Sequence, residues 1–360
     1  MTTQWHSAPR ARRWIGPPTP APARDFHRTL PDYRPTPLVE APALADELGV
    51  ARVLVKDESH RLGLAAFKVL GASWACAQVS RDRPGVGFVT ATDGNHGRAV
   101  ARMAAHFGVP ATVFVPRVMT ARAAQAIESE GARLVRHDGD YDETVSAAAR
   151  FAEQEGLALV QDTAWDGYED VPAWIVEGYQ TLLQEVDDEL GAAPSLIAVP
   201  VGVGSLAEAV VRRYRRPGAD ETAEMNTPRP ATAGDVEAGP SVLSVEPETA
   251  ACLLTSLRAG QPTSVETGQT AMAGLNCGTV SASAWPILAA GCDAAVTVSD
   301  EQAHAAAEDL ARLGISSGPS GAAALAGARA ALTDRRRRAD LELPQDATVV
   351  LLNTEGRPGG

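Results

Sequence analysis

The chain has 360 residues, 45% of them hydrophobic and 21% charged, with a formal net charge of -13 at neutral pH. That is enough sequence for one large or two medium domains with a sizeable core. The acidic balance argues against a nucleic-acid partner, which needs a cationic face, and no apolar run is long enough for a membrane span.

The first residues, "MTTQWHSAPRARRWIGPPTPAPAR", are Pro-rich and lack an apolar core of signal-peptide length. Residues 1–24 are therefore expected to be disordered and the protein cytoplasmic, with reduced thiols. From there short β-rich runs alternate with Ala-rich helical patterns. "RVLVK" precedes an apolar helix from Val69 to Val79, "GVGFVTA" precedes "NHGRAVARMAAHFG", and "ATVFVP" precedes "TARAAQAIESEG". "SLIAVPV" then leads into "SLAEAVVRRYRR" and "DAAVTVS" into "EQAHAAAEDLARLG", and "ATVVLLN" is the final strand. Such alternation predicts an α/β fold, a parallel sheet with helices on both faces. Residues 215–240, rich in Pro, Gly, Ala and acidic residues, lack periodicity and read as a mobile excursion. Arg335 to Arg338 reads as the solvated end of a helix.

Four cysteines (Cys76, Cys252, Cys277, Cys292) show no C-x-x-C spacing, so no metal site is expected; a Cys277–Cys292 bond stays open. Lys68 stands out because it opens an apolar helix. Its ordinary reading is a stem lying on apolar surface with the ammonium in water. Its chemical reading is an amine whose pKa is depressed by desolvation, a nucleophile toward a carbonyl.

Three strand-to-helix junctions complete the candidates. In "TATDGNHGRAVA", Asp93 and Asn95 flank a glycine, and His96 begins the helix; the residues suit a capped turn or a loop offering an amide and a carboxylate to a ligand. In "PVGVGSLAEAV", the backbone of Gly202, Val203, Gly204, Ser205 and Leu206 can cradle an anion at a helix N-terminus. Gly202, Gly204 and Ala207 also fit a dinucleotide fingerprint, but its acidic ribose partner would fall in the irregular excursion. In "VVLLNTEGRPGG", Thr354 offers a hydroxyl at the end of a buried strand, where it can meet a heteroaromatic nitrogen. A lysine, an asparagine loop, a phosphate cup and this hydroxyl match the aldehyde, ring hydroxyl, phosphate and ring nitrogen of pyridoxal 5'-phosphate.

From Asp25 to Gly356 the sequence resembles the fold-type II pyridoxal-phosphate enzymes, the tryptophan synthase β-like group. "KDESHRLGLAAFKVLG", "TATDGNHGRAVA", "VQDTAWDGYEDVPAWIVEGYQT", "PVGVGSLA", "VEPETAACL", "TAMAGLNCG" and "LLNTEG" resemble the diaminopropionate ammonia-lyases more closely than the serine or threonine dehydratases. The dehydratase loop resembles "SxGNHxQ", with serine where this chain has Asp93. The resemblance implies two three-layer αβα domains with mostly parallel sheets and the cofactor in the cleft between them. Residues 25–62 and 173–360 would form the large domain and 63–172 the small one, in a homodimer.

Carried over by position, the resemblance makes Lys68 the cofactor-bearing lysine. Asn95 would partner the ring hydroxyl, Gly202 to Leu206 the phosphate, and Thr354 the ring nitrogen. Asp93 would be an acid/base, Asp162 the holder of the substrate's second amine, and Tyr168 a neighbour of the substrate. The implied reaction is α,β-elimination from 2,3-diaminopropionate to pyruvate and ammonia, in which an amine leaving group needs a proton. Two departures bear on substrate identity: serine replaces the family's acidic residue at Ser316, and the chain runs only a few residues past "NTEG". A dehydratase or β-replacement enzyme of the same fold, and a non-catalytic cofactor-binding module, are the competing readings.

Overall fold

The computed structural model describes residues 3–17, 22–92, 94–117, 119–139, 141–215 and 239–357. Its strands are β1 (Trp5–Ser7), β2 (Leu38–Glu40), β3 (Arg52–Asp57), β4 (Phe88–Ala91), β5 (Ala111–Pro116) and β6 (Arg133–His137). They continue with β7 (Ala158–Leu159), β8 (Leu196–Pro200), β9 (Ser241–Pro247), β10 (Ala294–Val298) and β11 (Thr348–Asn353). One sheet runs β1-β10-β9-β8-β11-β3-β2, parallel except at its two edge strands. A second, all-parallel sheet runs β6-β5-β4-β7. Parallel neighbours need crossovers, which the Ala-rich helices supply. Helices cover both faces, so interior strands such as β8 are buried along their whole length.

The larger sheet draws strands from both ends of the chain, and its order reverses between β8 and β11. Ligand crevices in open α/β sheets form at such a reversal, beyond the carboxyl ends of the strands. The glycine loop follows β8, and Thr354 follows β11. The smaller sheet contributes its own carboxyl ends, after β4 and β7.

Lys68 is the first residue of the helix Lys68–Asp82, as the apolar run predicted. This helix packs closely on the helix Asp170–Leu190 because glycines meet at the crossing. A Cβ on Gly178 would lie 2.5 Å from Leu70 O, so alanine there would push the helices apart. The close crossing sets Tyr179 against Phe67, with ring centroids 4.7 Å apart and the rings tilted by 49°, beside Lys68.

Three expectations need correction. The N-terminal stretch, expected to be disordered, is anchored through residues 3–17. Strand β1 pairs antiparallel with β10, Trp5 Nε1 donates to Asp340 at 2.8 Å, and Arg12 pairs with buried Asp293. A three-residue edge strand carries no periodic signal, because its partners are almost 300 residues away. Second, Arg215 at the start of the expected excursion is fully buried between Asp293 and Pro240 O; residues 216–238 lie outside the described residues. Third, Arg335–Asp340 is a separate short helix capped by Asp334, and Arg338 donates to Leu48 O and Gly49 O, each at 2.6 Å. That guanidinium completes the C-terminal carbonyls of another helix.

A buried ionic network joins the segment before β2 to the end of β3 and the helix Asp170–Leu190. Glu185 accepts from Lys56 at 2.7 Å and from Arg61 at 2.6 Å, and Arg61 also pairs with Glu58. Thr36 donates to Glu58 and accepts from Arg61. No helix among the described residues is long and apolar enough to cross a membrane.

Candidate active site

Lys68 Nζ lies 2.5 Å from Asp162 Oδ2 and 5.4 Å from the centre of the Phe67 ring. Lys68 starts its helix because residues 65–67 are held by the tail of β11. Phe67 N–H donates to Thr354 O at 3.2 Å, and Gly356 N–H donates to Ala65 O at 2.9 Å. These bonds hold Thr354, itself buried, against the residue that precedes Lys68.

The depressed lysine pKa expected from the sequence is reversed. Burial acts to lower it, but the charge and hydrogen bond of Asp162 outweigh burial and raise it above the ordinary lysine value. Burial likewise favours the neutral acid at Asp162, yet the Lys68 charge, aided by His96 and the hydrogen bond, holds its pKa down to about 2. The apolar neighbours of Lys68 were legible in sequence; a carboxylate 94 residues away was not.

Asn95 begins the helix Asn95–Phe107, whose first turn is organised by Thr92 Oγ1, accepting from Gly94 N–H and Gly97 N–H. The Asn95 amide donates to Glu355 Oε2 at 2.7 Å. Glu355 is a site residue that sequence reasoning passed over, although it stood inside the quoted "NTEG". Burial raises its pKa, against opposing contributions from Ser320, Asn95 and Lys68. His96 Nε2 donates to Val160 O at 2.9 Å, and its Nδ1 is buried without a partner. Burial, reinforced by the charge of Lys68 and opposed by Asp162 and the bond to Val160 O, lowers its pKa. Asp93 lies outside the described residues.

The glycine loop leaves β8 and enters the helix Ser205–Tyr214. Gly204 has φ +101°, and a Cβ there would lie 2.9 Å from Leu288 Cδ1. Gly202 is pressed in turn against Gly274 O and Cys277 Sγ. Val203 O accepts from Ser281 N–H at 2.8 Å, and Ser205 Oγ donates to Asp162 O at 2.7 Å. The loop is thus tied to the segment carrying Asp162. Leu206 is buried behind it. None of the four buried cysteines forms a disulfide, so Cys277 and Cys292 do not pair.

Tyr168 stacks on Trp165 at 4.4 Å, and its hydroxyl donates to Leu159 O and accepts from Gln161 N–H, both at 2.9 Å. Its polar end serves the backbone leading to Asp162. Ser316 stands beside the terminal turn, its hydroxyl accepting from Arg357 N–H.

These residues fit pyridoxal phosphate. The site offers one lysine beside an anion, an asparagine amide with a fixed orientation, a helix N-terminus behind side-chain-free glycines, and a buried hydroxyl at a strand end. The pyridoxal-phosphate-dependent enzyme family model matches residues 29–355. The diaminopropionate ammonia-lyase of Escherichia coli is 34% identical over 93% of this chain and 87% of its own length. That of Salmonella typhimurium is 37% identical over 73% of this chain and 68% of its own. A crystal structure of the Escherichia coli enzyme with an aminoacrylate–cofactor reaction intermediate superposes with a TM-score of 0.84 at 32% identity, over 99% of this chain and 94% of that one. The fold extends to a threonine deaminase of Solanum lycopersicum, with a TM-score of 0.75 and 22% identity over 95% of this chain and 92% of that one. The chain therefore belongs to the pyridoxal-phosphate-dependent enzymes of fold type II and, within them, to the diaminopropionate ammonia-lyases.

Proposed function

We propose that the protein catalyses α,β-elimination on 2,3-diaminopropionate, which with one water gives pyruvate and two molecules of ammonia. The observation that carries this reading is the buried carboxylate of Asp162, 2.5 Å from Lys68 Nζ, whose charge holds the Asp162 pKa down to about 2. A carboxylate with so low a pKa is a poor proton donor at neutral pH. It is well suited to keep a substrate's β-amine in its ammonium form, which departs as neutral ammonia. A hydroxyl leaving group gives Asp162 no positive charge to hold, so the site favours a diamine over serine or threonine.

Pyridoxal phosphate, when bound, supplies an electron sink for the negative charge left at Cα. Lys68 would carry the cofactor and, once released, take the Cα proton on its own face. Asp93 is assigned the acid/base role on the opposite face. The backbone N–H groups of Gly202, Val203, Gly204, Ser205 and Leu206 hold the phosphate at the helix N-terminus. Asn95 would donate to the ring oxygen, and the neutral Thr354 hydroxyl would partner the ring nitrogen and leave it less protonated than a carboxylate would. Tyr168 supports the Asp162 segment through its backbone bonds. The reading includes a homodimer in the cytoplasm; light scattering on the purified protein tests the first, and four buried cysteines without a disulfide agree with the second.

The test is ammonia and pyruvate release from both enantiomers of 2,3-diaminopropionate, with serine and threonine as competitors. Diaminopropionate should give the highest kcat/KM and two ammonia molecules per pyruvate. Serine or threonine turned over equally well would point to a dehydratase. Bound cofactor without turnover of any amino acid would point to a binding module.

A further inference from the structure

We propose that Gln161 is a positioning residue for the Lys68–Asp162 pair: its side-chain amide ends the β4–β7 ladder and turns the chain so that Asp162 crosses to the lysine. The proposal deepens the reading above and rests on those two residues acting together.

Strands β4 and β7 pair in parallel, with Phe88 opposite Ala158 and Val89 opposite Leu159. Ala158 N–H donates to Gly87 O at 2.9 Å and Val160 N–H to Val89 O at 2.8 Å. One step further, evenly spaced parallel pairing would send Ala91 N–H to Val160 O. It goes instead to Gln161 Oε1 at 3.0 Å, and Val160 O accepts from His96 Nε2. A side chain has taken the place of the next backbone carbonyl. The same Oε1 accepts from Thr90 Oγ1 at 2.9 Å, and Nε2 donates to Tyr141 Oη at 2.9 Å.

Gln161 is fully buried, so the desolvation penalty of leaving its amide unpaired enforces this arrangement. Two consequences follow for the site. The chain parts from β4 one residue before Asp162, whose Oδ2 reaches Lys68 while Oδ1 stays 3.5 Å from Gln161 Nε2. Thr90 and Ala91 are also the last residues of the strand that leads to the Asn95 turn. One amide therefore sets both arms of the site.

The experiment compares Gln161→Leu and Gln161→Glu with the wild type, each carrying pyridoxal phosphate. The pH midpoint of the visible absorbance of the lysine-bound cofactor reports the charge beside its nitrogen and needs no substrate. Gln161→Leu should lower that midpoint by about one unit, because a displaced Asp162 favours the protonated nitrogen less. It should also lower kcat on diaminopropionate by roughly tenfold, the scale of a small misplacement of reacting groups. The glutamate variant, when neutral, offers the same carbonyl acceptor and an O–H donor. Its kcat relative to wild type should fall as pH rises through the pKa of that carboxyl, which burial raises.

A wild-type midpoint in both variants, with a pH-independent kcat ratio, would overturn the proposal even if both melt early. Should the leucine variant fail to fold, the glutamate variant decides alone. If the wild type binds cofactor but makes no pyruvate from diaminopropionate, the substrate reading falls while the absorbance midpoint still decides on Gln161.

Discussion

The Asn95 side-chain amide donates to Glu355 Oε2 at 2.7 Å, joining two residues 260 apart in sequence. Glu355 also accepts from Ser320 N–H at the start of the helix Pro319–Leu332. One N–H of Asn95 is thereby committed, the amide cannot flip without losing that bond, and its second N–H is left for a ligand oxygen. Cofactor affinity should depend on a carboxyl that need not touch the cofactor. Glu355→Ala is expected to weaken pyridoxal-phosphate binding by at least about tenfold, the size of one lost charge-assisted hydrogen bond. Glu355→Gln should do so less, because it keeps an acceptor. Fluorescence titration of the cofactor-free protein measures both; wild-type affinity in the alanine variant would break the link.

Asp162 is expected to control the protonation of Lys68. Burial pulls the lysine pKa down while Asp162 pulls it up, and the second effect wins. Asp162→Asn removes the winning charge and leaves the desolvation, so the Lys68 pKa should drop below its ordinary value. The amine would then become reactive at lower pH. In cofactor-free protein, the pH dependence of Lys68 acylation, followed by peptide mapping, should move to lower pH in the variant. An unmoved profile would show that the pair seen here does not set the charge on the lysine.

What the sequence revealed and concealed divides by range. Lys68, the Gly202–Gly204 loop and Thr354 were legible because each sits where a strand pattern meets a helix pattern, and glycine or lysine is conspicuous there. Apolar runs such as "SLIAVPV" likewise showed which strands are buried on both faces. The Lys68–Asp162 ion pair, the Gln161 amide and the Glu355–Asn95 bond were not legible, because each joins side chains that lie far from their partners in sequence and meet only in the fold. Strand β1 was hidden because its partner strand lies almost 300 residues away. Its hydrogen bonds come from β10, and its own three residues carry no alternation.

The buried network around Glu185 should govern acid stability. Its carboxyl is held down to about 2 from an ordinary 4.5: burial opposes this, but the bonds and charges of Arg61 and Lys56 prevail. A carboxyl with a lowered folded pKa contributes stability that is full above its ordinary value and is lost as pH falls toward the folded one. The wild type should therefore lose thermal stability between about pH 4.5 and 2. Glu185→Gln should remove that part of the slope and, by leaving Arg61 and Lys56 underpaired, cost about 3–5 kcal/mol at neutral pH. Denaturant melts across this pH range provide the check. A loss under about 1 kcal/mol would mean that Glu58 alone satisfies Arg61.

Gly204 offers the sharpest separation of site from scaffold. Its φ of +101° strains any residue with a Cβ, and the added atom would lie 2.9 Å from Leu288 Cδ1 and 3.2 Å from Ala284 Cβ. The strained backbone is the turn whose N–H groups are assigned to the phosphate. Gly260 shares the positive φ, at +69°, but a Cβ there would meet nothing within 4 Å. It closes the helix Cys252–Ala259. Alanine at either position should cost stability of about 1 kcal/mol through backbone strain. Only Gly204→Ala should also reduce cofactor affinity, by roughly tenfold or more, because the loop must move to relieve the contact with Leu288. Thermal melts and equilibrium dialysis of both variants, run side by side, divide the two effects. Equal cofactor loss at both positions would show that general destabilisation, rather than the shape of the loop, governs cofactor retention.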